Sequence, residues 1–214
     1  MEATSLRLQR RLKRIVDVLA AAVLLALLLP ALAIIAVAVK VSSPGGIVFS
    51  QKRAGKDGRT FIIHKFRTMS QGAYQPGAAA HAYEGDPRIG RVGAFLRKWS
   101  LDELPQLVNV IKGDMSLVGP RPDLPHHAET YTEFQRRRLE VRPGITGWAQ
   151  VMGRNELSWD DRIVLDVAYI DHWSLLRDLE VVGRTARVVL TGRGTSVTKD
   201  LKDMGWTEKT DRPS

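Results

Sequence analysis

Asp102 and Glu103 stand side by side in Ser100-Leu-Asp-Glu103. Adjacent carboxylates can share a divalent cation, divide the roles of nucleophile and supporting base, or form a phosphate-transfer centre with nearby cations. On one helix they point roughly 100° apart, so they do not face each other across a sugar ring as the opposed acids of a glycosidase must. The same four residues also spell a capping box, in which Ser100 and Glu103 satisfy free amides at a helix start. The two readings are compatible. A helix N-terminus with arginines nearby would keep Asp102 ionised, as a nucleophile or metal ligand requires.

The cations that could complete such a centre lie on turns and loops. Lys65 and Arg67 follow a β-type run, Arg121 is fixed between Pro120 and Pro122, Arg142 precedes Pro143-Gly144, and Arg154 follows Gly153. Arginines on Gly/Pro loops suit bidentate recognition of phosphate oxygens, although each alone also reads as an ordinary surface charge. With an acidic pair able to hold Mg²⁺, they describe a phosphoryl-transfer site. No P-loop, zinc signature or dinucleotide fingerprint is present, and His64, His81, His126, His127 and His172 lack metal-ligand spacing. The chain of 214 residues has no cysteine, which excludes disulfides, thiolate metal sites and a cysteine nucleophile. Its formal net charge of +9 suits an anionic partner: nucleic acid, an anionic membrane surface or a phosphorylated substrate.

The elements that must position these residues begin with an apolar run, Ile15 to Val39, with Asp17 near its start and Pro30 near its centre. As one helix it would reach roughly 38 Å, more than the apolar thickness of a bilayer. It is too long for the core of a cleaved signal peptide. Basic residues flank it on both sides: Arg7, Arg10, Arg11, Lys13 and Arg14 before, Lys40, Lys52, Arg53, Lys56 and Arg59 after. Positive charge marks the cytoplasmic side, so a helix that is broken at Pro30 and returns satisfies both flanks, whereas a straight span does not. Asp17 would then sit at the interface or pair with a neighbouring arginine.

Beyond the anchor, Ile47 to Gln51 and Thr60 to Lys65 predict a β-hairpin turning at Asp57-Gly58. Residues Gln71 to Pro87 read as a mobile Gly/Ala/Pro loop. Gly90 to Trp99 predicts an amphipathic helix suited either to an anionic membrane or to the core. Helices are also predicted from Asp102 to Ile111, from His127 to Leu139, and from Ser158, with Asp161 at the capping-box position, to about His172. Leu175 to Leu190 reads as a second surface-lying helix, and the tail beyond Gly194 as loosely ordered. The expected fold is α+β and mostly α. It comprises a re-entrant membrane helix in 1–40, a cytoplasmic catalytic domain in 41–194 that is continuous with the anchor, and a polar tail in 195–214.

Five blocks occur in order: Lys65-Phe-Arg-Thr-Met69, Ser100-Leu-Asp-Glu-Leu-Pro-Gln106, Asn109-Val-Ile-Lys-Gly-Asp-Met-Ser116, Val118-Gly-Pro-Arg-Pro122 and Val141-Arg-Pro-Gly-Ile-Thr-Gly-Trp-Ala-Gln150. Together they resemble the bacterial sugar transferases, or monotopic phosphoglycosyl transferases, from about Lys13 to about Gly192. The length is similar to that of small members that consist of little more than the catalytic domain. The resemblance implies that Asp102 attacks the β-phosphorus of a UDP-sugar in the presence of Mg²⁺ and releases UMP. Polyprenyl (undecaprenyl) phosphate then takes the sugar phosphate, in the first membrane step of capsule, exopolysaccharide, O-antigen or glycoprotein synthesis. It implies that Glu103 assists the metal or a proton transfer, that Lys65, Arg67 and Arg121 hold phosphates, and that Arg142, Gln150, Arg154 and Asp166 line the nucleotide or sugar pocket. It also implies a re-entrant helix at the bacterial inner membrane with the catalytic domain on the cytoplasmic face. In one departure, Leu29 stands where the family often has Ser before the helix-breaking proline, so the broken backbone lacks a hydroxyl partner.

Two other functions fit parts of the sequence. A non-catalytic membrane adaptor would use the basic face to bind anionic lipid or a partner and would need the Asp102/Glu103 cluster only for folding. A nucleic-acid binder would show aromatic interleaving or a recognition-helix pattern among its basic residues, and this chain shows neither. The expected partners are therefore a UDP-sugar, polyprenyl phosphate and anionic membrane lipid, without nucleic acid. The sequence leaves homodimerisation open.

Overall fold

The computed structural model describes residues 2–70, 86–153 and 157–191. The predicted loop from Gln71 lies outside the described residues as far as residue 85, as do Arg154 and the tail beyond residue 191. The fold is mostly helical with two small two-stranded sheets.

Helix α1 (Glu2–Ser42) is continuous and contains Pro30. The break expected there is not seen as an interruption of the helix. Proline removes one amide donor and crowds the preceding turn, and the hydrogen-bond pattern resumes on either side. The stretch Leu8–Ser42 is long and apolar enough to cross a membrane. Its burial is periodic: Arg14, Asp17, Val18, Ala21, Leu25, Leu28, Leu32, Ile35 and Val39, on one helical face, are turned toward the rest of the protein. Leu19, Val23, Leu27, Ile34 and Val37 on the other face are all more than half exposed. Ala21 and Leu25, before Pro30, pack with Ile63, Leu107, Val110 and Met115. Leu32, Ile35 and Val39, after it, pack with Phe66, Val92 and Leu96. Both halves of the apolar helix therefore rest on one folded body.

The predicted hairpin forms as β1 (Val48–Ala54) and β2 (Thr60–Phe66), antiparallel with Val48 opposite Phe66 and Ala54 opposite Thr60. Asp57 and Gly58 both adopt positive φ, 56° and 74°, as a tight turn between twisted strands requires. Helix α2 (Arg91–Lys98) crosses the end of β2, where a β-carbon on Gly93 would lie 2.1 Å from the Thr68 carbonyl oxygen. Only glycine permits that approach. Helix α3 (Gln106–Lys112) lies under β2, and Asn109 fastens the two. Its amide donates to the Ile62 carbonyl at 2.7 Å and its oxygen accepts from the His64 amide at 3.2 Å.

Strand β3 (Ser116–Val118) pairs in parallel with β4 (Gly144–Thr146). The expected helix from His127 to Leu139 is instead α4 (Pro125–Glu129), α5 (Glu133–Arg136) and a closing 3₁₀ turn. A capping box at Thr132 and Gln135 starts a new helix where the sequence reads as one. Helices α6 (Trp148–Met152), α7 (Trp159–Asp171) and α8 (Leu175–Thr191) complete the chain. Ser158 caps α7 by accepting from the Asp161 amide, as predicted. A core of Trp148, Val151, Met152, Leu165, Tyr169 and Val181 joins these helices to β3.

Candidate active site

The chain leaves α2 through Ser100, whose φ of 55° is left-handed. The expected capping box is therefore not formed. The Ser100 side chain makes no capping hydrogen bond, and its carbonyl accepts from the Glu103 amide at 3.2 Å. A capping residue needs extended backbone to aim its hydroxyl at the helix start, and the left-handed turn removes that aim. Leu101–Glu103 forms a 3₁₀ turn, and Leu104 and Pro105 carry helical backbone onward into α3.

The Glu103 side chain is turned toward two cations. Lys65 Nζ, from β2, donates to Oε1 at 2.8 Å. Arg121 donates through Nη2 to Oε1 at 2.7 Å and through Nη1 to Oε2 at 3.2 Å, a bidentate pair. Burial pushes the Glu103 carboxyl up, but Arg121 and Lys65 overcome it and hold the group well below the ordinary glutamate range. Burial lowers the Lys65 ammonium, with the Arg121 charge adding to the effect and Glu103 opposing it.

Asp102 is 8 % exposed, and among the described residues its carboxylate accepts no hydrogen bond. Burial and the neighbouring Glu103 charge raise it above the ordinary aspartate value, while Lys65, Arg97 and Arg121 pull the other way. The direction is opposite to the one that a helix start and nearby arginines would give. The two acids are thus unequal: one is locked and charged, the other open and more basic.

Arg121 owes its position to a loop pinned on several sides. The Gly119 amide donates to Thr146, the Pro120 carbonyl accepts from Gly144, and the Arg121 carbonyl accepts from Arg138 Nη2 at 3.0 Å. The loop and β4 approach so closely that a β-carbon on Gly119 would lie 2.5 Å from the Arg142 carbonyl, and one on Gly147 would lie 2.3 Å from the Gly119 carbonyl.

A family model for the bacterial sugar transferases matches residues 8–192. The chain belongs to the bacterial sugar transferase family. It is 44% identical over 192 residues to EpsL of Bacillus subtilis, an uncharacterised sugar transferase, covering 89% of this chain and 93% of that one. It is 41% identical over 197 residues to the exopolysaccharide production protein ExoY of Rhizobium meliloti, covering 86% and 87% respectively. It is 48% identical over 189 residues to a UDP-glucose:undecaprenyl-phosphate glucose-1-phosphate transferase of Caulobacter vibrioides, covering 84% and 70%. The long apolar helix and the family together point to membrane association.

The sugar transferase thus brings together four residues named from the sequence: Asp102, Glu103, Lys65 and Arg121. It places others elsewhere. Arg67 donates to the Val39, Ser43 and Pro44 carbonyls and closes the C-terminal end of α1. Arg142 donates to the Gly113 carbonyl, at the opposite end of α3 from Asp102. Gln150 donates to the Ile145 carbonyl. Asp166 forms a buried pair with Arg138 at 2.8 Å and, among the described residues, is linked to the site through that residue's bond to the Arg121 backbone. Arg154 lies outside the described residues.

The transferase also uses residues that sequence reasoning assigned no part. Arg97 reads as the polar face of an amphipathic helix, yet it acts on the Asp102 charge and reaches the Thr68 hydroxyl at 3.4 Å. The unreadable turn at Ser100 hid that proximity. Arg138 is the last of three consecutive arginines, a run that reads as solvated surface, and nothing in its spacing marks it as 6 % exposed.

Among the described residues no three His, Asp or Glu side chains cluster as a metal cage. Both Glu103 oxygens are occupied by cations, so Asp102 offers the open carboxylate. Such a site fits a Mg²⁺ shared with substrate phosphates better than a resident ion held by protein alone.

Proposed function

We propose that this transferase moves a sugar 1-phosphate from a UDP-sugar to polyprenyl phosphate through a covalent intermediate on Asp102, releasing UMP. The observation that carries this reading is the open, buried Asp102 carboxylate beside a Glu103 that is locked between Lys65 and Arg121. A nucleophile needs a free oxygen and raised basicity, whereas a structural carboxylate needs partners. The activity for which the Caulobacter relative is named supports the substrate class.

In the first step an Asp102 oxygen attacks the β-phosphorus. The bond from that phosphorus to the bridging oxygen breaks, and UMP leaves with the electron pair. In the second, an oxygen of polyprenyl phosphate attacks the acyl phosphate, the bond between Asp102 and phosphorus breaks, and a polyprenyl diphosphate sugar forms as Asp102 is regenerated. Arg121 and Lys65 supply positive charge where phosphate oxygens gather. Glu103 keeps those two cations aimed and charged. Asp102 would hold a Mg²⁺, which would neutralise negative charge on the donor. Glu103 would join it only by releasing Arg121 or Lys65.

The acceptor is a lipid, and α1 is read as re-entrant, leaving the catalytic body on the cytoplasmic face of the inner membrane. Support comes from the packing of both halves of α1 on that single body. Alongside it, α8 presents Leu176, Leu179 and Leu190 outward, each more than 60 % exposed, next to Arg177 and Arg184, as a membrane-surface helix would.

The test is UMP release by purified protein with Mg²⁺, undecaprenyl phosphate and a panel of UDP-sugars. Wild-type protein releases UMP with at least one donor and Asp102→Asn with none. Full activity of Asp102→Asn would remove Asp102 from the role of nucleophile.

A further inference from the structure

Gln106 opens α3 four residues after Asp102, and the backbone between them is helical, so the two side chains share one face. The next polar residue on that face, Asn109, is bonded to the backbone of β2 on both its oxygen and its nitrogen. Gln106 differs. It is 1 % exposed, and its amide nitrogen is buried without a hydrogen-bond partner among the described residues. A buried donor left unmatched is costly and calls for a reason. One turn away, the Asp102 carboxylate is an acceptor that is also unmatched.

We propose that Gln106 is a positioning residue for the transferase reaction. In the free protein the two are not bonded; when the donor binds, the Gln106 amide turns to the Asp102 oxygen that does not attack and so fixes which oxygen faces the phosphorus. This rests on the reading of Asp102 as the nucleophile. The other groups around Asp102 are charged and otherwise engaged: Lys65 from β2 and Arg121 from the loop after β3 bind Glu103, and Arg97 from α2 reaches Thr68. Gln106 is a neutral side-chain donor one helical turn along from Asp102. A neutral donor orients a carboxylate without competing for the phosphate as a cation would.

The packing role that could mimic this predicts a different order of variants. Gln106→Met keeps the length and volume and removes the donor. Gln106→Asn keeps the donor one carbon short and leaves a small void. Positioning predicts that kcat for UMP release falls about 30-fold in Gln106→Met and less in Gln106→Asn, with KM for the UDP-sugar within about twofold of wild type. It also predicts a melting temperature for Gln106→Met no lower than wild type, because an unmatched buried donor has been removed. Packing predicts the reverse order, with Gln106→Met close to wild type and Gln106→Asn the more damaged in both stability and rate. That order, or an unchanged kcat in Gln106→Met, overturns the proposal. Wild-type enzyme in the same assay separates the two readings: no UMP release by wild type overturns the assignment of function and this inference with it.

Discussion

The guanidinium of Arg121 grips both oxygens of Glu103, at 2.7 and 3.2 Å, and Lys65 holds one of the same oxygens from the other side. Asp102, the next residue back, has no such partner among the described residues. Two adjacent acids of similar chemistry therefore carry opposite burdens, and their variants should differ in sign.

Asp102→Asn removes a buried charge that Glu103 repels. It is expected to raise the melting temperature by about 3 °C while abolishing UMP release. Glu103→Gln leaves Lys65 and Arg121 without their shared counter-ion. It is expected to lower the melting temperature by a similar amount and kcat by about 10²-fold. Thermal melts and UMP release on the two variants check both signs.

The same pair sets the pH dependence. Glu103 is ionised in the fold far below its ordinary value of 4.5, so its stabilisation is present in full above that pH and is lost as pH falls below it. The stability gap between wild type and Glu103→Gln should be widest near pH 7 and shrink below about pH 4.5. Asp102 is raised above its ordinary 3.8, so its ionisation costs stability at neutral pH and the cost disappears as it is protonated. The gain from Asp102→Asn should therefore fade on acidification, and the acid limb of the wild-type rate should lie above the ordinary aspartate range. Melts and rates across pH 3 to pH 8 read out both trends.

Much of this site was legible before any coordinates. The acidic pair, Lys65 and Arg121 were named from their residue types and their place in ordered sequence blocks, and the structure puts them side by side; the hairpin turn at Asp57-Gly58 is set by local chemistry. The failures have local causes as well. Ser100 matched a capping box, but its left-handed backbone changed the geometry of the turn. Arg67 was expected beside phosphates, and its bonds to the C-terminal carbonyls of α1 were not foreseen because composition does not reveal that they lie within its reach. The 127–139 segment looked like one helix because the capping box at Thr132 is a short signal inside a helical pattern. Arg138, and any role for Gln106 beyond its place in a sequence block, went unseen, since burial of a polar side chain depends on tertiary packing.

Gly119 tests whether the loop crossing positions Arg121. A methyl group there meets the Arg142 carbonyl at 2.5 Å and the Gly144 amide at 3.0 Å, both backbone atoms that have little freedom to yield. Gly119→Ala is expected to lower the melting temperature by about 5 °C and UMP release at least about tenfold. Wild-type melting and rate in that variant would show that the crossing tolerates a shift and that Arg121 does not depend on it.

Asp166 separates a pocket residue from a supporting one. Its carboxylate faces Arg138, and both side chains are nearly fully buried, at 4% and 6% exposure. Asp166→Ala leaves that guanidinium unpaired, a loss of about 3–5 kcal/mol, or a drop in melting temperature on the order of 10 °C. If Asp166 instead read the sugar, the variant would melt like wild type and change KM among UDP-sugars. Melting curves and KM values measured side by side distinguish the two.

The path of α1 is the last prediction, and it follows from what holds its two ends. Lys13 bonds Asp178 of α8 at 2.6 Å, Arg14 bonds the Val110 carbonyl of α3, and Asp17 accepts from Ser116 of β3 at 2.7 Å. At the other end the Val39 and Ser43 carbonyls accept from Arg67, just beyond β2. A straight crossing would put these two sets of contacts on opposite sides of a bilayer about 30 Å thick. Yet α3 and β2 are tied directly through Asn109, so such a crossing would draw one folded body through the lipid. A path that keeps both ends of α1 on one face of the membrane, as proposed above, would avoid this. Single cysteines at Thr4 and Lys52, in a chain that has none of its own, should both resist an impermeant maleimide in intact cells and both react after permeabilisation. Labelling of either one in intact cells would mean that α1 spans the bilayer and that the contacts at one of its ends are broken in the membrane.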